Sequence, residues 1–124
     1  MFLNKLQLIG FLGQNPELRT TPTGKATLTV SVATTEVWKG GDGNKQQFTE
    51  WTPCVFWGKA AEKVAELLKQ GSAVFVEGRK RTREYTDGQG QKRRVVECIV
   101  DTWQRLDRTA APEVHTPEED EIPV

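Results

Sequence analysis

Alternation of apolar and polar side chains with a period of two is the feature that most constrains how this chain folds. Residues 26–35 place Leu28, Val30 and Val32 on one face and small polar side chains on the other, as in a half-buried β-strand. Comparable patterns predict further strands over residues 5–12, 47–57, 72–78 and 79–86, and a last strand or pair of strands over residues 92–106. Two of these strands are predicted to be separated at Gly78.

A helical period occurs in residues 59–70, and Gly71 is expected to stop that helix. Its apolar side chains recur at i, i+3, i+4 and i+7, namely Ala61, Val64, Ala65 and Leu68. Strands, one helix and then strands is the order expected of an all-β fold, a five-stranded Greek-key barrel of the OB type. A two-sheet sandwich is the alternative.

Charge divides the chain of 124 residues into two parts. We expect an OB-fold domain over residues 1–108 and a short flexible linker with an acidic tail over residues 109–124, whose composition is typical of disorder. The tail contains five acidic side chains and no Lys or Arg, which leaves 17 basic against 12 acidic side chains in the body. A basic body predicts contact with a polyanion.

Targeting and disulfide signals are weak in this sequence. Two cysteines do not make a disulfide framework, so a reducing cytoplasm is the expected location. We expect neither a secretory signal nor a membrane-spanning segment, because the apolar runs are only a few residues long.

Two indole rings share one face of the strand over residues 47–57. Trp51 and Trp57 point the same way because the side chains of a strand alternate. A tryptophan in a β-barrel is more often packed than functional, and packing is what we expect of Trp103. For Trp51 and Trp57 together, with basic residues nearby, we expect base stacking instead.

The strand over residues 79–86 has the matching cations. Arg79, Arg81, Arg83 and Tyr85 share a face that is predicted to be open, because three guanidinium groups cannot all face a core. A merely solvated face is the alternative. Trp38 and Lys39 lie at the lip of a Gly-rich loop. Aromatic rings interleaved with cations suit single-stranded nucleic acid, since rings stack on bases and cations follow the backbone.

Other side chains are expected to be structural. Phe11, Phe56 and Phe75 are predicted core residues, and Cys54 and Cys98 are predicted small buried hydrophobes. The single histidine, His115, lies in the predicted tail, and no phosphate-binding glycine motif occurs. We therefore expect a protein without catalytic residues, metal or cofactor.

Motifs with characteristic spacing run in order through residues 4–106. They are Asn4-Lys5, Gly10-Phe11-Leu12-Gly13-Gln14-Asn15-Pro16-Glu17-Leu18-Arg19, Glu36-Val37-Trp38, Thr49-Glu50-Trp51, Phe56-Trp57-Gly58-Lys59-Ala60-Ala61-Glu62, Gly71-Ser72, Val76-Glu77-Gly78 and Arg81-Thr82-Arg83-Glu84-Tyr85-Thr86-Asp87. Through them the chain resembles the bacterial single-stranded-DNA-binding protein family.

The resemblance implies an OB barrel that assembles as a homotetramer in the bacterial cytoplasm, associated with the nucleoid. It also implies coating of single-stranded DNA without sequence preference in replication, recombination and repair. The family's stacking aromatics fall on Trp38, Trp51, Trp57 and Tyr85. We expect phosphate contacts from six basic side chains: Lys5, Arg19, Lys39, Lys59, Arg81 and Arg83.

Two departures from the family pattern stand out. Pro53 occupies a position where the family often has a basic residue, and its missing N–H predicts a locally irregular strand. The tail ends on Asp120, Glu121, Ile122, Pro123 and Val124, which match the family's docking tip for replication and repair enzymes, with Val124 in place of a terminal phenylalanine.

Two rival functions remain open. One is an OB-fold adaptor that helps replication proteins assemble and binds DNA weakly, and the presence of all four aromatics argues against it. The other is an OB-fold nuclease, and the lack of a carboxylate cluster in the sequence argues against it.

Overall fold

Six strands and one helix form within residues 1–106, the part of the chain that the computed structural model describes. The elements are β1 Leu6–Leu12, β2 Arg19–Thr20, β3 Ala26–Lys39, β4 Lys45–Trp57, α1 Gly58–Leu67, β5 Ala73–Thr86 and β6 Lys92–Arg105. The Asp120–Val124 tip and His115 lie outside the described residues.

Strand β1 closes the barrel because it pairs with two different strands. It runs antiparallel to β5 from Leu6 to Phe11, and Phe11 and Leu12 also pair with β3. The ring of neighbours is β1, β5, β6, β4, β3 and again β1, with β4 and β6 parallel and the short β2 paired to the start of β3. The predicted five-stranded OB barrel is confirmed, and its closure excludes the two-sheet sandwich.

The core consists of the inward side chains of the barrel and one side of α1. Its principal members are Leu28, Val30, Val32, Cys54, Phe56, Val64, Leu68, Val74, Val76 and Cys98. Trp103 packs edge-on against Phe56 with ring centroids 6.3 Å apart, which confirms its packing role. Cys54 and Cys98 are opposed in register and buried as predicted, and burial raises the pKa of both thiols.

Two of the three predicted core phenylalanines are wrong. Phe11 is 59 % exposed, and Phe75 is only partly buried. Phe11 alternates with the buried Gly10 and Leu12, and Phe75 lies between the buried Val74 and Val76. Both rings therefore point outward from the barrel.

The helix ends at Leu67, three residues before the predicted end. The backbone amides that follow the helix donate to side chains instead of continuing it. The N–H of Lys69 donates to Ser72 Oγ at 3.0 Å, and the N–H of Gln70 donates to Asn15 Oδ1 at 2.8 Å. The extended backbone of Leu68 returns that side chain to the core.

Strand β5 runs through Gly78 without the predicted break. Gly78 sits at a bulge against β6, and a Cβ there would collide with the carbonyl of Ile99. The glycine therefore permits close approach of two backbones rather than ending a strand. As a result β5 and β6 form one long hairpin that ends at the Asp87–Gly90 turn.

The irregularity predicted at Pro53 does not occur. The pairing of β3 with β4 is continuous from Thr27 opposite Trp57 to Lys39 opposite Lys45. Ser31, the register partner of Pro53, directs its backbone N–H and carbonyl away from β4. Its N–H donates to Gln14 Oε1 at 3.0 Å, and its carbonyl accepts from the N–H of Gly13 at 2.9 Å. The missing N–H of Pro53 thus removes no hydrogen bond between β3 and β4.

No helix within residues 1–106 is long and apolar enough to cross a membrane.

Replacing Gly78 by Ala should lower the free energy of unfolding by about 1–3 kcal/mol, because the added methyl forces β5 and β6 apart. Chemical denaturation of the purified variant measures the loss. Gly88→Ala is the matched control, since a Cβ at Gly88 meets nothing within 4 Å. Equal stability of the two variants would contradict the close approach.

Candidate nucleic-acid interface

Trp51 and Trp57 lie on the outer face of the β3–β4 sheet, where they are 55 % and 37 % exposed. They face Ala33 and Thr27 of β3 and point away from the core, as the alternation predicts. Pro53 and Val55 lie between them on the same face and are more deeply buried. Six residue steps separate Trp51 from Trp57, so their Cα atoms lie about 20 Å apart along β4, at either end of a shallow apolar floor.

Glycine at position 13 allows the ring of Trp51 to lie against the backbone. A Cβ there would be 2.5 Å from Cζ3 of Trp51. The Gly13 segment is itself fixed to β3 through the N–H of Gly13 and the side chain of Gln14, both bonded to Ser31. The Trp51 ring is therefore held in place by its packing against Gly13, unlike a freely rotating surface side chain.

Trp57 forms one wall of a cleft of about 560 Å³ that Lys25, Arg79 and Arg81 also line. Lys25 Nζ lies 5.5 Å from the centroid of the Trp57 indole, within cation–π range. Lys25 is not among the phosphate ligands predicted from the sequence. It stands two residues before Thr27, the register partner of Trp57, so the same alternation places it on this face once the pairing is known.

The outer face of β5 and β6 has the predicted open row of Arg79, Arg81, Arg83 and Tyr85, all exposed. The Arg83 guanidinium carbon lies 5.6 Å from the centroid of the Tyr85 ring. Arg79 Nε is 4.0 Å from an oxygen of Asp101.

Arg81 and Arg83 share a carboxylate that sequence analysis also missed. Arg81 Nη2 donates to Glu97 Oε1 at 2.9 Å, and Arg83 Nε donates to the same oxygen at 3.1 Å. Glu97 stands opposite Arg81 in the register and therefore belongs to the outer face. Its side chain is nevertheless only 1 % exposed. The two arginines are therefore held side chains and not a merely solvated row.

Trp38 is not brought together with Trp51. Trp38 is 48 % exposed at the far end of the β3–β4 hairpin. Side chains alternate along both paired strands, and in their register Trp38 lies on the opposite face from Trp51. Phe48, an exposed ring, is its diagonal neighbour on that face. Lys39 ends β3 directly opposite Lys45.

The remaining predicted phosphate ligands are dispersed. Arg19 pairs in register with Thr27, beside Trp57, and its Nη2 is 3.7 Å from Glu17. Lys59 is exposed at the start of α1, two residues after Trp57. Lys5 lies on the β1–β5 side, with Nζ 3.8 Å from Glu77.

Asp87 organises the turn that ends the β5–β6 hairpin. It accepts a hydrogen bond from Arg93 Nε at 2.9 Å and backbone hydrogen bonds from Gln89 and Gln91, which hold the pKa of its carboxyl below the ordinary value. Within residues 1–106 no three His, Cys, Asp or Glu side chains converge as metal ligands would.

Replacing Gly13 by Ala should displace the Trp51 ring and destabilise the fold by about 1 kcal/mol. The near-ultraviolet circular dichroism and the emission of tryptophan report the displacement. In a Trp51→Ala background the same substitution should cost far less, since the clash is removed. A full cost in both backgrounds would show that Gly13 acts on the backbone alone. Gly41→Ala, where a Cβ meets nothing within 4 Å, is the control.

Comparison with known proteins bears out the resemblance seen in the sequence. The model of the Single-strand binding protein family matches residues 3–106. The chain is 50 % identical over 105 residues to "Single-stranded DNA-binding protein 1" of Xylella fastidiosa (strain 9a5c), covering 84 % of this chain and 77 % of that protein. The solved structure titled "Plasmodium falciparum SSB complex with ssDNA" superposes with a TM-score of 0.78 at 26 % identity, covering 86 % of this chain and 97 % of that one. With its closed OB barrel and a family match over most of its length, the chain belongs to the single-strand binding protein family.

Proposed function

We propose that this protein binds and protects single-stranded DNA in replication, recombination and repair, largely without sequence preference and without catalysing a reaction. The observation that carries the proposal is the outer barrel face, where Trp51 and Trp57 stand exposed and Trp57 borders a cleft lined by three cations. The Xylella relative is a single-stranded DNA-binding protein and the Plasmodium structure is a complex with single-stranded DNA, which supports the same ligand here.

Stacking explains why such a surface tolerates any sequence. Every base has a π-face, so an exposed indole accepts each of them, whereas hydrogen-bond readout requires fixed donors and acceptors. We assign stacking to Trp38, Trp51, Trp57 and Tyr85. Because Trp38 and Trp51 occupy opposite faces of one hairpin, a strand that meets both must pass around its edge.

Phosphate contacts are proposed for Lys5, Arg19, Lys39, Lys59, Arg81 and Arg83, and the geometry at Trp57 adds Lys25. Arg19, Lys25 and Lys59 surround Trp57 in the register and the chain, so they are suited to the backbone of a nucleotide stacked there. Binding should therefore weaken with salt at a log–log slope of about −0.7 per phosphate contacted.

Self-association as a homotetramer is the proposed quaternary state. The outer face of β1 and β5 exposes Ile9 and Phe11, which stand opposite Phe75 and Ala73 in the register. Apolar side chains grouped in this way are suited to burial between copies. Several barrels would also give DNA a longer path and multivalent binding. We place the protein in the bacterial cytoplasm, associated with the nucleoid.

Replacing Trp51 or Trp57 by Ala should weaken oligo-dT binding by about 1–3 kcal/mol while the barrel remains folded, because each loses one stacking surface. Quenching of tryptophan fluorescence on titration measures the affinity, and Trp51→Phe, which keeps a ring, should retain most of it. Binding at wild-type strength in both Ala variants would contradict the stacking assignment. Near silence of the wild-type protein towards oligo-dT would favour the adaptor function instead.

The acidic tail is proposed as a docking segment for replication and repair enzymes, with Asp120, Glu121, Ile122, Pro123 and Val124 as its tip. We retain the division into a DNA-binding domain over residues 1–108 and a tail over 109–124. The five acids of the tail cannot help to hold a polyanion. A chain of 16 residues without fixed structure has a typical reach of about 20–24 Å, a length sufficient to span from the end of a small barrel to a groove on its surface.

Deleting residues 113–124 should raise the affinity for oligo-dT at low salt, with a gain that shrinks as salt screens the acids. The same deletion should abolish capture of partner enzymes, and Val124→Phe should strengthen it by filling an aromatic pocket. Affinity titrations at two salt concentrations and a pull-down with the purified enzymes provide both readouts. A truncation that alters neither would leave the tail with a solubility role.

A further inference from the structure

Glu97 is the one carboxylate among residues 1–106 that is buried within the proposed interface. It is 1 % exposed, yet it does not belong to the apolar core, and its register partner is the exposed Arg81. A buried carboxylate carries a large desolvation cost unless charged donors meet it, and here two arginines do. This arrangement is a built feature of the outer face.

The position of Glu97 joins two parts of that face. Arg81, which lines the Trp57 cleft, and Arg83, which lies against the Tyr85 ring, both donate to the same oxygen, Oε1. Each guanidinium has five N–H donors and uses one on Glu97, so four on each remain for phosphates. The carboxylate thus fixes where two cations stand and leaves most of their N–H donors for phosphates.

We propose that Glu97 is a positioning residue of the single-stranded-DNA interface, which holds Arg81 and Arg83 in place between Trp57 and Tyr85 and cancels one of their two charges. The inference rests on the proposed function. It adds that this part of the surface presents a net charge of one to DNA. Arginine ordered before DNA arrives loses less side-chain freedom on binding.

Two substitutions separate the two effects. Glu97→Gln keeps the shape and an acceptor oxygen but removes the charge, so the arginine pair presents two charges instead of one. We expect its log–log salt dependence of oligo-dT binding to steepen by about 0.7, with tighter binding than wild type at low salt. Glu97→Asp keeps the charge but shortens the reach. It should leave the slope unchanged and weaken binding about two- to tenfold at every salt concentration, because the arginines are no longer fixed.

Glu84→Gln is the matched control. Glu84 is on the same hairpin, on the opposite face, and its exposed carboxylate is 3.9 Å from Arg94 Nε. The Glu84→Gln substitution removes the same charge from the chain without altering the contacts of Arg81 or Arg83. Its log–log salt dependence of oligo-dT binding should therefore remain near that of wild type.

Affinity is measured for the full chain by fluorescence titration with oligo-dT at several salt concentrations, after thermal melting has identified the folded variants. A Glu97→Gln slope parallel to wild type would overturn the proposal and leave Glu97 a purely structural ion pair. If Glu97→Gln does not fold, wild-type affinity in Glu97→Asp would overturn it. Failure of the wild-type protein to bind oligo-dT would instead reject the proposed function itself.

Discussion

Closure of the barrel through β1 is the constraint on which the rest of this structure depends. The strand pairs with β5 over most of its length and passes to β3 at Phe11 and Leu12. A Cβ on Gly10 would collide with the carbonyl of Ala33, so glycine at this position lets the two strands approach closely enough to close the ring. Once the barrel is closed, each strand has one face towards the core and one towards solvent, and aromatic side chains on the solvent face remain at the surface. Closure places one face of β4 on the outside, and Trp51 and Trp57 are exposed because the alternation along β4 puts both of them on that face.

The fold and the faces shared by the aromatic and basic side chains could be predicted because both follow from periods within single segments. Trp51 and Trp57 share a face whatever β4 pairs with, and so do Arg79 and Arg83 on β5. The same rule failed for Phe11 because β1 has apolar side chains on both faces, Leu8 and Leu12 inward and Ile9 and Phe11 outward. In a strand with two apolar faces, the alternation does not show which face is buried. The strand break predicted at Gly78 is wrong for a related reason. A glycine that ends a strand and a glycine that allows a neighbouring backbone to approach closely cannot be distinguished in the sequence.

Lys25 and Glu97 could not have been found in the same way, because their roles depend on register between segments far apart in the chain. Lys25 acts on a ring 32 residues later, and Glu97 meets arginines 14 and 16 residues earlier. A shift of one residue in either pairing would reverse the face on which each side chain lies. Sequence periodicity identifies which side chains can share a face of one strand, whereas strand pairing decides which charges meet across strands.

Charge pairing on the outer face also determines how salt should act on this protein. Arg79 lies 4.0 Å from the exposed carboxylate of Asp101, and such exposed pairs contribute little, so a phosphate can replace the carboxylate at small cost. Arg81 and Arg83 differ because their partner, Glu97, is buried and cannot be exchanged for solvent. Under the proposed function, phosphates should therefore join that cluster and not displace its carboxylate. We expect the exposed cations to supply the steep, salt-sensitive part of binding, and the Glu97 cluster and the rings beside it to supply a part that salt changes less.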